Sequence, residues 1–326
     1  MQHFAHRIRI ISAWAAILAL GVQPSAWSEN QTFERIFIFG DSLSDPGNLH
    51  TFLLANTPGP YTSQAPYTEP VPSFPYDIDG YQFSNGKTWA QWFARHMEMK
   101  RSGQAAIDDP GTNGNYALGG ARVGSMDTMD PTTTTSQVER YLGDFAFQAD
   151  SDALYVIQFG ANDVRDALGI QLGTGYPGSA QAVVENAVVN EIGIVFQLYQ
   201  LGARHFLVAN VPNISITPVI RMYGEQGIFA ANLLVGGFNS GLETGLQGLE
   251  GLPGISIDRL DFHTLVTEIY DDPGAFGLKD ASSSCLMFMM GGGICSKPNK
   301  FLFWDGIHPT AKIHKIVSKA AARIYD

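Results

Sequence analysis

Short apolar runs alternate along this chain with longer stretches in which apolar residues recur every three or four positions. The runs at Arg35–Phe39, near Asn115–Ala117, and at Ala153–Phe159, Arg204–Asn210 and Ile255–Leu260 have the length and composition of buried strands. Between and after them the period lengthens to that of helices: Thr88–Met99 is amphipathic, Ser136–Phe147 follows threonines that can cap it, and Ala180–Leu201 is apolar over a wide face. Ala230–Leu249 is interrupted by glycines, and Thr310–Tyr325 closes the chain. Strands alternating with helices predict an α/β protein, a three-layer α/β/α sandwich around a central parallel sheet. No Pro/Gly/Ser linker divides the series, so residues 29–326 are expected to form one domain.

The N-terminus follows another pattern. Arg7 and Arg9 precede an almost unbroken apolar run of 13 residues, Ile10 to Val22, and Ala26 and Ser28 supply small residues before Glu29. This reads as a secretory signal peptide over residues 1–28, since 13 helical residues cover only roughly 20 Å of a ~30 Å hydrocarbon core. No other stretch is long enough to span a membrane. The expectation is a secreted or periplasmic, monomeric protein. Of 326 residues, 326 − 28 = 298 remain, with a charge of 18 − 31 = −13. Such a chain is repelled as a whole by nucleic acid and by anionic membrane surfaces. In an oxidising compartment its two cysteines, Cys285 and Cys295, are expected to pair, and two thiols are too few for a structural zinc site.

The first strand runs into Gly40-Asp41-Ser42-Leu43-Ser44-Asp45-Pro46-Gly47-Asn48. A serine between a strand's C-terminal end and a helix exposes its hydroxyl in the crevice where α/β sheets bind ligands. Near the C-terminus, Asp305 and His308 lie three apart in Trp304-Asp305-Gly306-Ile307-His308-Pro309, so in a turn the carboxylate can hold one imidazole nitrogen while the other faces Ser42. After the third strand, Gly160-Ala161-Asn162-Asp163 offers the Asn162 amide as an oxyanion donor. After the second, Asn115-Tyr116-Ala117-Leu118-Gly119-Gly120-Ala121 offers a glycine N–H, and the Ser42 N–H is a third donor.

These four blocks, in this order, resemble the SGNH/GDSL hydrolases. The resemblance implies a flavodoxin-like fold with Ser42 as nucleophile, Asp305 and His308 completing the triad, and Ser42, Gly120 and Asn162 forming the oxyanion hole. Gly120 is preferred to Gly119 because it lies five residues after Asn115, as in shorter members. Phe83-Ser84-Asn85-Gly86-Lys87-Thr88-Trp89 is similar to a further family stretch, but Gln82 stands where an Arg is usual. Asp45 and Asn48 match the extended first block and are expected to shape the turn by bonding backbone groups.

The activity expected is hydrolysis of a carboxylic ester, esterase- or lipase-like, through a Ser42 acyl-enzyme, with no cofactor and no metal. Substrates in reach of the family include lipid, sugar and choline esters, so a carbohydrate acetylesterase or a choline-ester hydrolase is an alternative on the same site. Of other classes, a metal-dependent phosphoesterase would draw on Asp41, Asn162, Asp163 and His308 but lacks enough ligands, and a binding protein that lost the chemistry would not retain every required residue type. No Gly-x-Ser-x-Gly elbow is present, and the glycine pattern over residues 173–178 follows no strand, so it reads as a loop. Six prolines between Pro58 and Pro75, interleaved with tyrosines, mark an extended loop, either a rigid connection or an aromatic wall of the cleft. Leu286–Ile294 between the cysteines is either a buried loop or a disulfide-pinned flap over the acyl group.

Overall fold

Alternation of side chains across four strands decides the architecture. Along β1 (Ile36–Gly40), Phe37 and Phe39 enter one apolar core while Ile36 and Ile38 enter another. The same division holds in β2 (Leu154–Gln158) for Tyr155 and Ile157 against Leu154 and Val156, and in β3 (His205–Ala209) for Phe206 and Val208 against Leu207 and Ala209. A sheet covered on both faces needs strands without a polar side, which is why these segments read as nearly continuous apolar runs. With β4 (Ser256–Leu260) they form a parallel sheet in the order β1-β2-β3-β4.

The computed structural model describes residues 32–56, 76, 81–123, 133–174, 177–286 and 293–326, and Phe33–Asp326 form one compact unit. The expected signal peptide, most of the proline-rich loop and the centre of the segment between the cysteines lie outside the described residues.

The segment expected to be a second strand is reduced to isolated parallel bridges of Asn115, one to Ile38 of β1 and one to Ala105. Its backbone still follows the edge: Tyr116 N–H donates to Ile38 (2.8 Å) and Leu118 N–H to Gly40 (3.1 Å). The Asn115 side chain takes the Ala117 N–H, competing with a regular ladder. Counting this segment, the order is the 2-1-3-4-5 of flavodoxin-like sheets, in which ligands sit at the switch point between the first strand and the third, here β1 and β2.

One face carries α3 (Thr134–Asp144), α4 (Ala161–Thr174), α5 (Pro177–Gln200) and α7 (Gly224–Leu249), and the other α2 (Trp89–His96), α8 (Phe262–Asp271) and α9 (Ala311–Ala322). Local chemistry sets several starts. Thr88 and Gln91 form a reciprocal capping box for α2, Asp261 caps α8 through the Thr264 N–H, and Pro177 occupies the first turn of α5, three residues before the expected start. Trp89 and Phe93 of α2 are fully buried, each contributing roughly 1.5–3 kcal/mol by burial. Four helices were not foreseen: α1 (Asn48–Asn56), α4, the short α6 (Pro218–Arg221) and α8. A small parallel pair, β5 (Asp280–Ser284) and β6 (Phe301–Phe303), was also unforeseen, and it carries the chain into the Asp305 turn.

Candidate active site

The turn after β1 is built almost entirely from backbone hydrogen bonds to side chains. Gln137 of α3 grips Gly40 on both sides, accepting its N–H (3.0 Å) and donating to its carbonyl (2.9 Å). Asp41 accepts the Leu43 N–H at 2.9 Å, so the chain reverses with Ser42 at its crest. Ser44 donates to Gln158 of β2 at 2.8 Å. Asp45 then gathers four N–H groups, from Gly47, Asn48, Leu49 and, across the sheet edge, Gly119. Burial raises both Asp41 and Asp45 to about 6 despite these donors.

At the other end of the chain, Asp305 accepts the N–H groups of Ile307 (2.7 Å) and His308 (2.6 Å) on one oxygen. Its second oxygen meets His308 Nδ1 at 2.8 Å, and His308 Nε2 lies 2.8 Å from Ser42 Oγ. Acceptance by the carboxylate fixes the Nδ1–H tautomer and leaves Nε2 to accept from the serine hydroxyl. Exposure is 8% for Ser42, 6% for Asp305 and 4% for His308, so water hardly screens the relay. Burial alone would raise Asp305, but His308 and the two N–H groups hold it below the usual carboxylate range. The Phe83 ring packs 5.2 Å from the imidazole.

Asn162 lies two residues after Gly160, whose φ is +93° and where a Cβ would fall 2.4 Å from the Phe238 ring, so only glycine fits the close approach. The Asn162 carbonyl oxygen accepts from Arg165 (3.0 Å) and its amide donates to the Ala121 carbonyl (3.0 Å), which orients the group and leaves a second amide hydrogen. Ser42, Asn162 and His308 line one cavity, whose apolar walls include Leu43, Ile214, Phe262, Leu302, Phe303 and Ile307. Gly120 is not among the residues lining it. It lies on the adjoining loop at φ +78°, one residue before the Asn162 contact, and its carbonyl accepts from Arg122 at 2.7 Å. The neighbouring Gly119 N–H is spent on Asp45 (2.8 Å), so of the two glycines Gly120 has the N–H free of a described acceptor.

Asp41, Asn162 and Asp163 turn towards backbone partners, and no group of three or more metal-ligating side chains occurs among the described residues. The remaining described histidines stand apart from the relay. His314 is fully buried, and burial lowers it to about 3. Cys285 and Cys295 are joined, and the bridge lies against the triad's own strand through Cys285 N–H to Phe303 and Leu286 N–H to Trp304.

Sequence reasoning missed one residue of the relay. Tyr76 donates its hydroxyl to the same Asp305 oxygen that holds His308, at 3.0 Å, and is 2% exposed. Its ring packs with Cys285, Leu286 and Trp304. The tyrosines of the proline-rich stretch were the available signal, but nothing in their spacing relates them to a residue 229 positions away.

The profile of GDSL-like lipases and acylhydrolases matches residues 36–321. The chain belongs to that family. It is a carboxylic ester hydrolase. Among relatives, GDSL esterase/lipase EXL6 of Arabidopsis thaliana is 26% identical over 93% of this chain and 94% of its own. The anther-specific proline-rich protein APG of the same plant is 26% identical over 91% of this chain, which spans 62% of that longer protein. Among solved structures, an acetylxylan esterase from Geobacillus stearothermophilus aligns over 91% of this chain and 96% of its own, with a TM-score of 0.46 and 12% identity. At the position where this GDSL hydrolase has Gln82 instead of the usual Arg, the side chain is buried and donates to Gln91 (3.1 Å) and to the Pro46 carbonyl (3.4 Å). A neutral amide thus links the nucleophile turn to the capping box of α2.

Proposed function

We propose that this protein hydrolyses short-chain carboxylic esters through an acyl-enzyme on Ser42. His308 Nε2 takes the Ser42 proton as Oγ attacks the ester carbonyl, and Asp305 stabilises the imidazolium. The N–H groups of Ser42 and Gly120 and the Asn162 amide receive the negative charge that develops on the carbonyl oxygen. The imidazolium returns its proton to the departing alkoxide, so the alcohol leaves and the acyl group stays on Oγ. Water then attacks with His308 again as base, and the Ser42–acyl bond breaks to release the carboxylic acid. The observation that carries this reading is the unbroken hydrogen-bonded line from Asp305 through His308 to Ser42, 2.8 Å at each link and shielded from solvent.

The acyl group is assigned to the apolar cavity beside Ser42, whose free volume is about 50 Å³. A cavity of ~150 Å³ takes benzene, so this one suits an acyl chain of roughly two to four carbons. Removal of a signal peptide at residues 1–28 and export to an oxidising compartment are part of the proposal, supported by the Cys285–Cys295 bridge. So is action as a monomer, since one chain supplies every group of the relay. Ser42→Ala tests the chemistry: it should cut ester hydrolysis by several orders of magnitude with the melting temperature kept, and activity above a hundredth of wild type would end the serine reading. Loss of wild-type activity in EDTA, restored by a divalent metal, would favour a phosphoesterase-like site instead. On p-nitrophenyl esters of graded length, kcat/KM should peak at two to four carbons, and a maximum at eight or more would overturn the acyl assignment.

A further inference from the structure

A net charge of −13 on residues 29–326 conceals a segregation of sign. The chain has eight lysines, and six of them fall within residues 279–319. Three of those, Lys300, Lys312 and Lys315, join Lys87 around one open groove of about 590 Å³ between α2 and α9, with Trp92 and Asn299 in its walls. Among the described residues none of these four ammonium groups pairs with a carboxylate. Two are drawn together by one acceptor: the Gly277 carbonyl takes Lys300 Nζ at 3.0 Å and Lys312 Nζ at 3.1 Å. Burial and the neighbouring Lys300 ammonium push Lys312 below the ordinary lysine range. Holding like charges side by side costs free energy that no described ion pair offsets, and an anion from outside would relieve it.

We propose that this groove binds the carboxylates of an acidic polysaccharide chain, gripping it beside the reaction cavity. The two hollows are near neighbours along the sequence, since Pro309 lines the cavity and Ala311 the groove. The groove's form selects the partner. It is open enough for a continuous chain, it is concave where a lipid bilayer is flat, and among the described residues none of the exposed large apolar side chains lines it to enter a bilayer. The acidic remainder of the surface disfavours the dense charge of a nucleic acid. A glycan with one carboxylate per sugar offers this groove several anions at a lower charge density than a nucleic acid.

The test is affinity electrophoresis of the full-length secreted protein in gels containing polygalacturonate, and it needs no turnover. Polygalacturonate should retard the wild type, with the effect abolished at 0.5 M NaCl and absent with the fully methyl-esterified polymer. Lys300→Gln/Lys312→Gln should raise the apparent Kd roughly tenfold, from two exposed ion pairs, while hydrolysing a small neutral ester at the wild-type rate. Lys100→Gln/Arg140→Gln, which removes the same charge elsewhere, should bind as wild type. Equal retardation by the neutral polymer, or equal loss in both double variants, would overturn the proposal. So would adsorption to phosphatidylglycerol vesicles without retardation by the glycan. If Lys300→Gln/Lys312→Gln is inactive on the small ester, Lys300→Arg/Lys312→Arg decides: it must bind, and its failure would refute the groove.

Discussion

Replacing Tyr76 with phenylalanine removes one oxygen from the triad's surroundings and keeps the buried ring. Asp305 receives four donors, two on each oxygen, and Tyr76 supplies one of the two on the oxygen that also holds His308. A hydrogen bond to a charged group contributes about 1.5–3 kcal/mol, and with Tyr76 2% exposed no bulk water replaces it. The lost donor concentrates negative charge on the oxygen facing the imidazole. If roughly half of that energy is transferred to the imidazolium, the protonated relay gains about 0.75–1.5 kcal/mol, or roughly 0.5–1 pH unit. The acid limb of the kcat/KM profile for a soluble ester should therefore move up by that amount, with kcat on the plateau within tenfold of wild type. A fall in melting temperature would accompany any role for Tyr76, so the pH profile is the deciding measurement. An acid limb that stays in place, or moves down, would refute the coupling between Tyr76 and the base.

Two other outcomes follow from the same geometry. Asn162→Ala should lower kcat by about 10²–10³ with KM nearly unchanged, because its amide meets charge that exists only in the transition state; a change mainly in KM would make Asn162 a substrate-binding residue. His314, lowered by burial from the ordinary 6.5 to about 3, contributes stability that is complete above pH 6.5 and is lost as pH falls towards its folded value. Between pH 7.5 and 5, wild type should therefore lose about 2 kcal/mol more than His314→Asn in urea unfolding, and parallel curves for the two proteins would contradict this.

Residues whose task is set locally were legible in the sequence. The strands fall within two residues of expectation because burial on both faces demands apolar runs, and Asp305 and His308 were readable because three residues of one turn fix their contact. Helix α4 escaped notice because its start is also the Asn162 turn and its interior carries Gly169 and Gly173. Helix α8 is signalled by little more than the Asp261 cap, and β5 is the polar run Asp280–Ser284, paired on the strength of backbone bonds that side-chain patterns do not announce. Tyr76 and Gln137 act across folded distance. The charge total hid the lysine groove for a related reason, since a sum carries no positions.

Ser42 and His308 stand 266 residues apart, and His308 lies just before α9, which packs against α2. The order of synthesis therefore matters. A nascent chain carries the proposed nucleophile long before the proposed base, and the imidazole is placed only when α9 has docked. Until then the cell holds a serine without an activator. Any truncation that removes α9 should therefore yield a chain that retains most of the sheet and none of the catalysis.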